Sequence, residues 1–295
     1  MFILIILIAV FNIILSSRTP PTLANEEQTQ NGITYRFLCV GVGEYINYGS
    51  EVDFGEAPPY DLIYQVLSKW KFGPKKVGFF RIDYISDFES TKNNILQGIA
   101  STFSEADDDV SYFYFGGNGD KYGSIYFICP ADMTSSVNSK ISVNELEEVL
   151  GVIPGTKVVI IDSCNSGGFI GKGGDYYEFS DKDLKAFNND IVKVFFYKQN
   201  RERDLLTADC YKILTSCSYN QISNTINFDG NTIGTFTAAL LEGCGYNCFP
   251  ADSDNNGEIT LEEAYLYVKD KISSWGFIQD VQVYPINSTF VFAGY

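Results

Sequence analysis

Two glycine-containing loops carry the residue types that nucleophilic catalysis needs. One reads Tyr-Phe-Gly-Gly-Asn-Gly-Asp from Tyr114 to Asp120, and the other reads Ile-Ile-Asp-Ser-Cys-Asn-Ser-Gly-Gly from Ile160 to Gly168. Both follow apolar runs, so each loop is expected at the carboxyl end of a buried strand. A cysteine there, Cys164, is held on a rigid element, and the backbone amides of small residues can converge on a negatively charged oxygen. The alternative is a half-buried thiol beside ordinary turns.

A second motif near the carboxyl terminus indicates a metal site. Residues 252–263 fit the twelve-residue EF-hand loop at every diagnostic position, with Gly257 at the sharp turn. The candidate ligands offer side-chain oxygens or, at position seven, a carbonyl: Asp252, Asp254, Asn256, Glu258, Thr260 and Glu263. This pattern predicts structural Ca²⁺, with a helix continuing over 261–273. The alternative is a solvated acidic turn that caps that helix.

Short apolar runs and helical patterns alternate along the chain and must position these motifs. The predicted strands are Tyr35–Val42, Lys76–Ile82, Val110–Phe115, Lys157–Asp162, Tyr211–Cys217 and Thr289–Ala293. The predicted helices are Asp61–Trp70, Asn93–Phe103, Val143–Leu150 and Thr235–Glu242. This alternation predicts an α/β fold, with a mostly parallel six-stranded sheet and helices on both faces.

The remaining segments suggest one domain over residues 33–295. Residues 124–129 predict an additional short strand in a hairpin, and residues 172–209 form a long connection of the kind that often carries function. The apolar run Phe2–Leu15 predicts a secretory signal peptide within residues 1–24, with a signal anchor as the alternative. We therefore expect a secreted, luminal or vacuolar protein. Cys244 and Cys248 are either a disulfide across a short turn or two reduced thiols.

Composition restricts the functions that this chain can have. Its net charge of −16 disfavours nucleic acids and anionic membrane surfaces as partners. The chain of 295 residues contains no histidine, which removes the usual general base near neutral pH and the commonest metal ligand. Any mechanism must therefore work without one.

The two loops resemble those of the caspase-like (clan CD) cysteine endopeptidases, which include caspases, metacaspases, legumain-type enzymes and clostripain. In that superfamily one strand ends in His-Gly, and a second strand ends in the nucleophile about 50 residues later; here 46 residues separate Asn118 from Cys164. The legumain-like, bacterial caspase-like and metacaspase forms are the nearest in pattern. The resemblance covers nearly the whole mature chain and implies a three-layer sandwich.

The resemblance also implies roles for individual residues. Cys164 would be the nucleophile, and the amides of Gly119 and Cys164 would bind the oxyanion. Asp162 matches an acidic position of the specificity pocket and would favour a basic or asparagine side chain. Ser216 and Ser218 lie on the segment that resembles the strand lining the substrate groove.

The departure from the family pattern is Asn118, which stands where the superfamily has its catalytic histidine. An amide cannot carry a proton, and a free thiol with a pKa of about 8.5 is only a few per cent ionised at pH 7. Loss of such a group typically costs about 10²–10⁴ in rate, or about 10⁶ where nucleophile and base act as a unit.

The sequence therefore favours a catalytically impaired homologue that binds a peptide or protein ligand in a retained groove. The first alternative is an active endopeptidase or transpeptidase that uses Cys164 with a non-histidine base, for which Asp120, Asp162 and Glu44 are candidates. The second is a calcium-stabilised structural or surface protein whose groove is inert.

Overall fold

A computed structural model describes residues 29, 32–50, 55–107, 109–122, 125–163, 210–216 and 223–295. Its main feature is a six-stranded sheet in the order β12-β8-β7-β3-β1-β2. The strands are β1 (Tyr35–Gly41), β2 (Arg81–Ser86), β3 (Val110–Gly116), β7 (Thr156–Asp162), β8 (Tyr211–Thr215) and β12 (Gln282–Tyr284). Every neighbouring pair is parallel except β12 with β8.

Helices cover both faces of this sheet, as the sequence predicts. The first face carries α1 (Tyr60–Leu67), α4 (Thr235–Gly243) and α5 (Leu261–Ser274), and the second carries α2 (Lys92–Thr102) and α3 (Val143–Gly151). Alternate residues of the central strands fill the two resulting cores: Val158 and Ile160 of β7 join the first, and Val159 and Ile161 the second. Burial on both faces explains why these strands are continuously apolar.

Short accessory strands form three smaller sheets. A hairpin of β4 (Gly119–Tyr122) and β5 (Ile125–Ile128) pairs with β6 (Ile141–Ser142), and this hairpin was expected from residues 124–129. The strands β9 (Thr225–Phe228) and β10 (Asn231–Gly234) form a second sheet. The third joins β11 (Glu258–Thr260), inside the predicted calcium loop, to β13 (Val291–Gly294).

Two strand predictions need correction. The run Thr289–Ala293 does contain a strand, β13, but it pairs with β11 rather than with the main sheet, whose sixth strand is β12. The predicted strand Lys76–Ile82 begins too early, because Phe72 and Val77 close a turn through an isolated bridge and β2 starts only at Arg81. Both errors concern pairing partners and turns, which local apolar patterns do not specify.

The cysteines and helices settle two further points. Cys244 is fully buried, Cys248 is exposed, and both are free thiols, so the structure has the reduced alternative of the two that the sequence left open. None of the helices in the described part of the chain has the length and apolar character needed to cross a bilayer.

Candidate active site

The carboxyl ends of three adjacent strands meet at one level of the sheet. Gly41 of β1 is paired with Gly116 of β3, and Gly116 is paired with Asp162 of β7. The pairing continues one step into the loop after β3, where Gly117 N–H donates to the carbonyl oxygen of Asp162 at 3.0 Å. The two loops singled out in the sequence therefore begin side by side, at the sheet edge where α/β folds place their ligands.

Asn118 occupies a buried position in the loop after β3, with only 2% of its surface exposed. Its backbone N–H donates to the hydroxyl of Tyr45 at 2.7 Å, and its carbonyl oxygen accepts from the N–H of Cys129 at 3.0 Å. A side chain at Gly117 would lie within 3.2 Å of Phe115, Val42 and Tyr45. Main-chain contacts and close packing therefore fix the backbone position of residue 118.

The amide of Gly119 is directed away from the hairpin to which it belongs. Gly119 is paired with Ile128 across the β4–β5 ladder, and the preceding pair, Asn118 with Cys129, is joined by a hydrogen bond. Adjacent pairs of an antiparallel ladder alternate between hydrogen-bonded and non-hydrogen-bonded, so Gly119 N–H takes no part in the ladder. This orientation suits an amide that donates to a ligand oxygen.

Asp120, one of the candidate replacement bases, is already paired. Its carboxylate forms an ion pair with the ammonium group of Lys140, and both side chains are more than nine-tenths buried. The Asp120 carboxylate is therefore already directed at the Lys140 ammonium group. Glu44, in the loop after β1, is exposed to solvent.

Asp162 points into the first core and is completely buried. Its Oδ2 accepts from the backbone N–H and the hydroxyl of Thr237 at 3.2 and 2.5 Å, and its Oδ1 accepts from the hydroxyl of Ser223 at 3.1 Å. Burial raises the pKa of this carboxyl above its ordinary value, although the hydrogen bonds from Thr237 and Ser223 oppose the increase. Asp162 thus contacts α4 and the segment before β9.

The end of β8 is held by a residue that the sequence did not identify. Ser216 donates its N–H to the carbonyl of Ile161 at 2.9 Å and accepts at its own carbonyl from Gln279 Nε2 at 2.8 Å. The same Gln279 amide accepts at Oε1 from the Thr235 hydroxyl and from the backbone N–H of Asn224. Gln279 therefore joins three segments at the sheet edge, a role that no local pattern reveals.

Two predicted site residues, Cys164 and Ser218, lie outside the described residues. The structure brings together the other members of the predicted site at the same sheet edge: Asn118, Gly119, Asp162 and Ser216. It adds Tyr45, whose hydroxyl binds the loop of Asn118 and which the sequence did not identify.

The predicted calcium loop brings three carboxylates together. One oxygen from each of Asp252, Asp254 and Glu263 lies within 4.8 Å of the others. Gly257 has φ +86° and the preceding turn residue Asn255 has φ +58°, which gives the tight curvature that an EF-hand loop requires. Asn256 lies between them and binds both aspartates through its backbone N–H.

Hydrogen bonds shape this loop further. Asp252 accepts from Gly257 N–H at 2.9 Å and from the hydroxyl of Tyr295 at 3.0 Å. Burial acts to raise the pKa of Asp252, but these bonds outweigh it and lower the pKa below the ordinary value. Thr260 and Glu263 form a capping box at the start of α5, and Glu258 begins β11.

Comparisons with known proteins agree with this architecture. A family model described as the caspase domain matches residues 60–289. The crystal structure of caspase-1 from Spodoptera frugiperda is similar with a TM-score of 0.53 and 11% sequence identity, over 94% of this chain and 100% of that chain. A structure of pro-sf-caspase-1 gives a TM-score of 0.46 and 13% identity, over 88% and 94% of the two chains. No curated protein matches the sequence.

Proposed function

Because this chain belongs to the caspase domain family, we propose that it is a pseudopeptidase that binds a peptide or protein segment at the loop edge of the sheet without cleaving it. The observation that supports this proposal is the position of Asn118, which is buried in the loop where the resemblance places the catalytic histidine. A buried amide donates and accepts hydrogen bonds but cannot take a proton from a thiol or give one to a leaving amine.

The environment of the candidate bases supports the same proposal. Asp120 is engaged by Lys140, and Asp162 is engaged by Thr237 and Ser223. Glu44 is solvent-exposed, and none of the described residues forms a hydrogen bond with its carboxylate. A general base must lie within about 2.6–3.2 Å of the proton that it removes and must be free to accept it. Asp120 and Asp162 are already engaged by these partners and Glu44 is exposed, so none of the three offers an unengaged carboxylate at a fixed position.

The second part of the proposal, that the protein binds a peptide, depends on the backbone groups present at the carboxyl-terminal edge of the sheet. Gly119 N–H lies outside the β4–β5 ladder and is suited to a ligand carbonyl. An extended peptide binds through such main-chain contacts, whereas its side chains provide selectivity. Binding of this kind needs neither a proton carrier nor an ionised thiol.

The test compares cleavage and binding by three proteins: the wild type, Asn118→His and Asn118→His with Cys164→Ala. We expect no turnover of a mixed fluorogenic peptide library by the wild type, measurable turnover by Asn118→His, and its loss in the double variant. Asn93→His, on the exposed surface of α2, controls for a histidine placed elsewhere. Peptide binding to the wild type is measured by fluorescence polarisation.

Cleavage by the wild type that disappears with Cys164→Ala alone would contradict the proposal and indicate an active cysteine endopeptidase with a different base. Absence of peptide binding by every variant would instead favour a structural protein whose groove is inert.

We also propose a structural Ca²⁺ at the loop 252–263. The observation in its favour is the approach of three carboxylate oxygens within 4.8 Å, at positions one, three and twelve of the EF-hand pattern. Asp252, Asp254 and Glu263 would hold the ion with their carboxylates, and Asn256, Glu258 and Thr260 occupy the remaining ligand positions. An ion there neutralises carboxylates that otherwise repel one another, and thereby joins α5 to the preceding turn.

Secretion is the third part of the proposal, and it depends on the apolar run Phe2–Leu15. Extracellular calcium is abundant enough to occupy a single loop of modest affinity. Amino-terminal sequencing of protein from the culture medium should find a start between residues 17 and 26. Retention of all the protein inside the cell with Met1 present would contradict secretion.

A further inference from the structure

The carboxylate of Asp162 has no remaining capacity for a ligand. It is 0% exposed and accepts three hydrogen bonds, two from Thr237 and one from Ser223. The hydroxyl of Ser216 supplies a fourth. An ionised carboxylate has about four acceptor sites, so the four donors occupy all of them. All four donors are neutral groups. A cationic group of a ligand therefore could not bind here simply by displacing a cation of the protein.

The position of these donors gives the carboxylate a structural role. Helix α4 begins at Thr235, and its N-cap residue, Gly234, has no side chain with which to cap it. Asp162, the last residue of β7, caps the helix instead. Its carboxylate accepts the N–H of Thr237, the third residue of the helix. A negative charge is also favourable at a helix amino terminus because it faces the positive end of the helix dipole.

Gly234 is what allows this approach. A Cβ atom at residue 234 would lie only 2.2 Å from Oδ2 of Asp162, a distance that real Cβ atoms do not show. The contact therefore requires a glycine at 234, for reasons of space rather than of backbone conformation. Because Asp162 stands two residues before Cys164, the anchor also fixes the end of the strand that carries the nucleophile position.

We infer that Asp162 anchors the end of β7 to the amino terminus of α4 and does not recognise a basic side chain of the ligand. This inference rests on the proposed peptide binding, and it differs from the specificity that the family resemblance implies for this position. A basic ligand group would have to break the cap of α4 to reach the carboxylate, which costs more than a surface ion pair returns.

The test uses Cys164→Ala protein, which excludes turnover, and a positional-scanning peptide library. Each position in turn is fixed as arginine or as citrulline, which has nearly the same shape without the charge. We expect the two affinities to differ by less than about threefold at every position. A preference for arginine of tenfold or more that disappears in Asp162→Asn would overturn the inference.

Thermal unfolding tests whether Asp162 anchors β7 to α4, and it needs no ligand. Asp162→Asn and Gly234→Ala should each lower Tm by more than about 5 °C, because each breaks the same buried contacts. Asp270→Asn, which makes the same charge change on the exposed face of α5, should shift Tm by less than about 2 °C. Unchanged melting in both Asp162→Asn and Gly234→Ala would overturn the inference.

The two measurements separate the two proposals. If no peptide binds in either series, the proposed binding function fails, and the melting data still decide whether Asp162 is an anchor. Should Asp162→Asn fail to fold, the arginine-to-citrulline ratio of the Cys164→Ala protein and the melting of Gly234→Ala remain decisive.

Discussion

Removal of one carboxylate from the loop 252–263 gives a direct test of the calcium proposal. The chosen change is Glu263→Gln, at the position that contributes two oxygens to an EF-hand ion. The Glu263 carboxylate accepts hydrogen bonds from Thr260 and Ser253. Binding must redirect part of this carboxylate towards the ion, so we expect the modest affinity of an extracellular module rather than that of a cytosolic buffer.

The expected magnitude follows from mass action. With Kd of about 10⁻⁴ M, about 10 mM free calcium is about a hundredfold excess and stabilises the folded protein by about 2.7 kcal/mol. For a chain of this size, one kcal/mol corresponds to about 2–4 °C in Tm. Calcium should therefore raise the wild-type Tm by about 5–10 °C relative to a chelator, whereas Glu263→Gln should respond by less than about 2 °C.

The assay is differential scanning calorimetry of matched samples in calcium, in magnesium and in chelator. Glu148→Gln is the control, since it makes the same chemical change on an exposed residue of α3, on the other face of the sheet. The control should respond to calcium like the wild type. A wild-type Tm that is the same in calcium and chelator, or a Glu263→Gln response equal to that of the wild type, would refute the reasoning.

Three other substitutions test the energetics of the frame around the site. Lys140→Met leaves Asp120 buried without its partner and should destabilise the fold by about 3–5 kcal/mol in urea unfolding; a loss below about 1 kcal/mol would show that the pair is solvated. Gly155→Ala places a Cβ at φ +74°, 2.1 Å from the carbonyl oxygen of Asp109, and should cost at least about 1–2 kcal/mol in the same assay. Burial tends to raise the pKa of Asp109, but hydrogen bonds from Thr34 and Arg36 outweigh it and lower the pKa in the folded protein. The ionised Asp109 carboxylate therefore stabilises the fold above pH about 4, and this stabilisation is lost as the pH falls through the pKa of the folded state. Acid unfolding followed by circular dichroism should start at higher pH in Asp109→Asn.

The sequence was sufficient to predict that the two glycine-containing loops begin at the same edge of the sheet, because this depends on local patterns. Apolar runs ending at Gly116 and Asp162 fix two parallel strands, and the carboxyl ends of parallel strands meet at one edge. Similarly, the EF-hand spacing of residues 252–263 depends only on local backbone geometry. Each of these predictions required nothing from residues far away in the chain.

Contacts between distant segments could not be predicted in the same way. Tyr45 reaches Asn118 across 73 positions, and Gln279 reaches Ser216 across 63. The sixth strand was misassigned for a related reason: β12 is a half-buried stretch of three residues, Gln282–Tyr284, with a weaker pattern than the more apolar run that forms β13. Its place in the sheet is set by its partner β8 rather than by its own composition.

The way in which residue 118 is held explains how the loop keeps its geometry without a histidine. The contacts that fix it use backbone groups: its N–H binds Tyr45 and its carbonyl binds the N–H of Cys129. The neighbouring amide of Gly119 is oriented by the ladder pairing with Ile128. None of these interactions depends on the side chain at 118, so exchanging that side chain leaves the Gly119 amide in place. This arrangement is compatible with the proposed function, in which the Gly119 amide binds a peptide carbonyl although no side chain at 118 can activate a thiol.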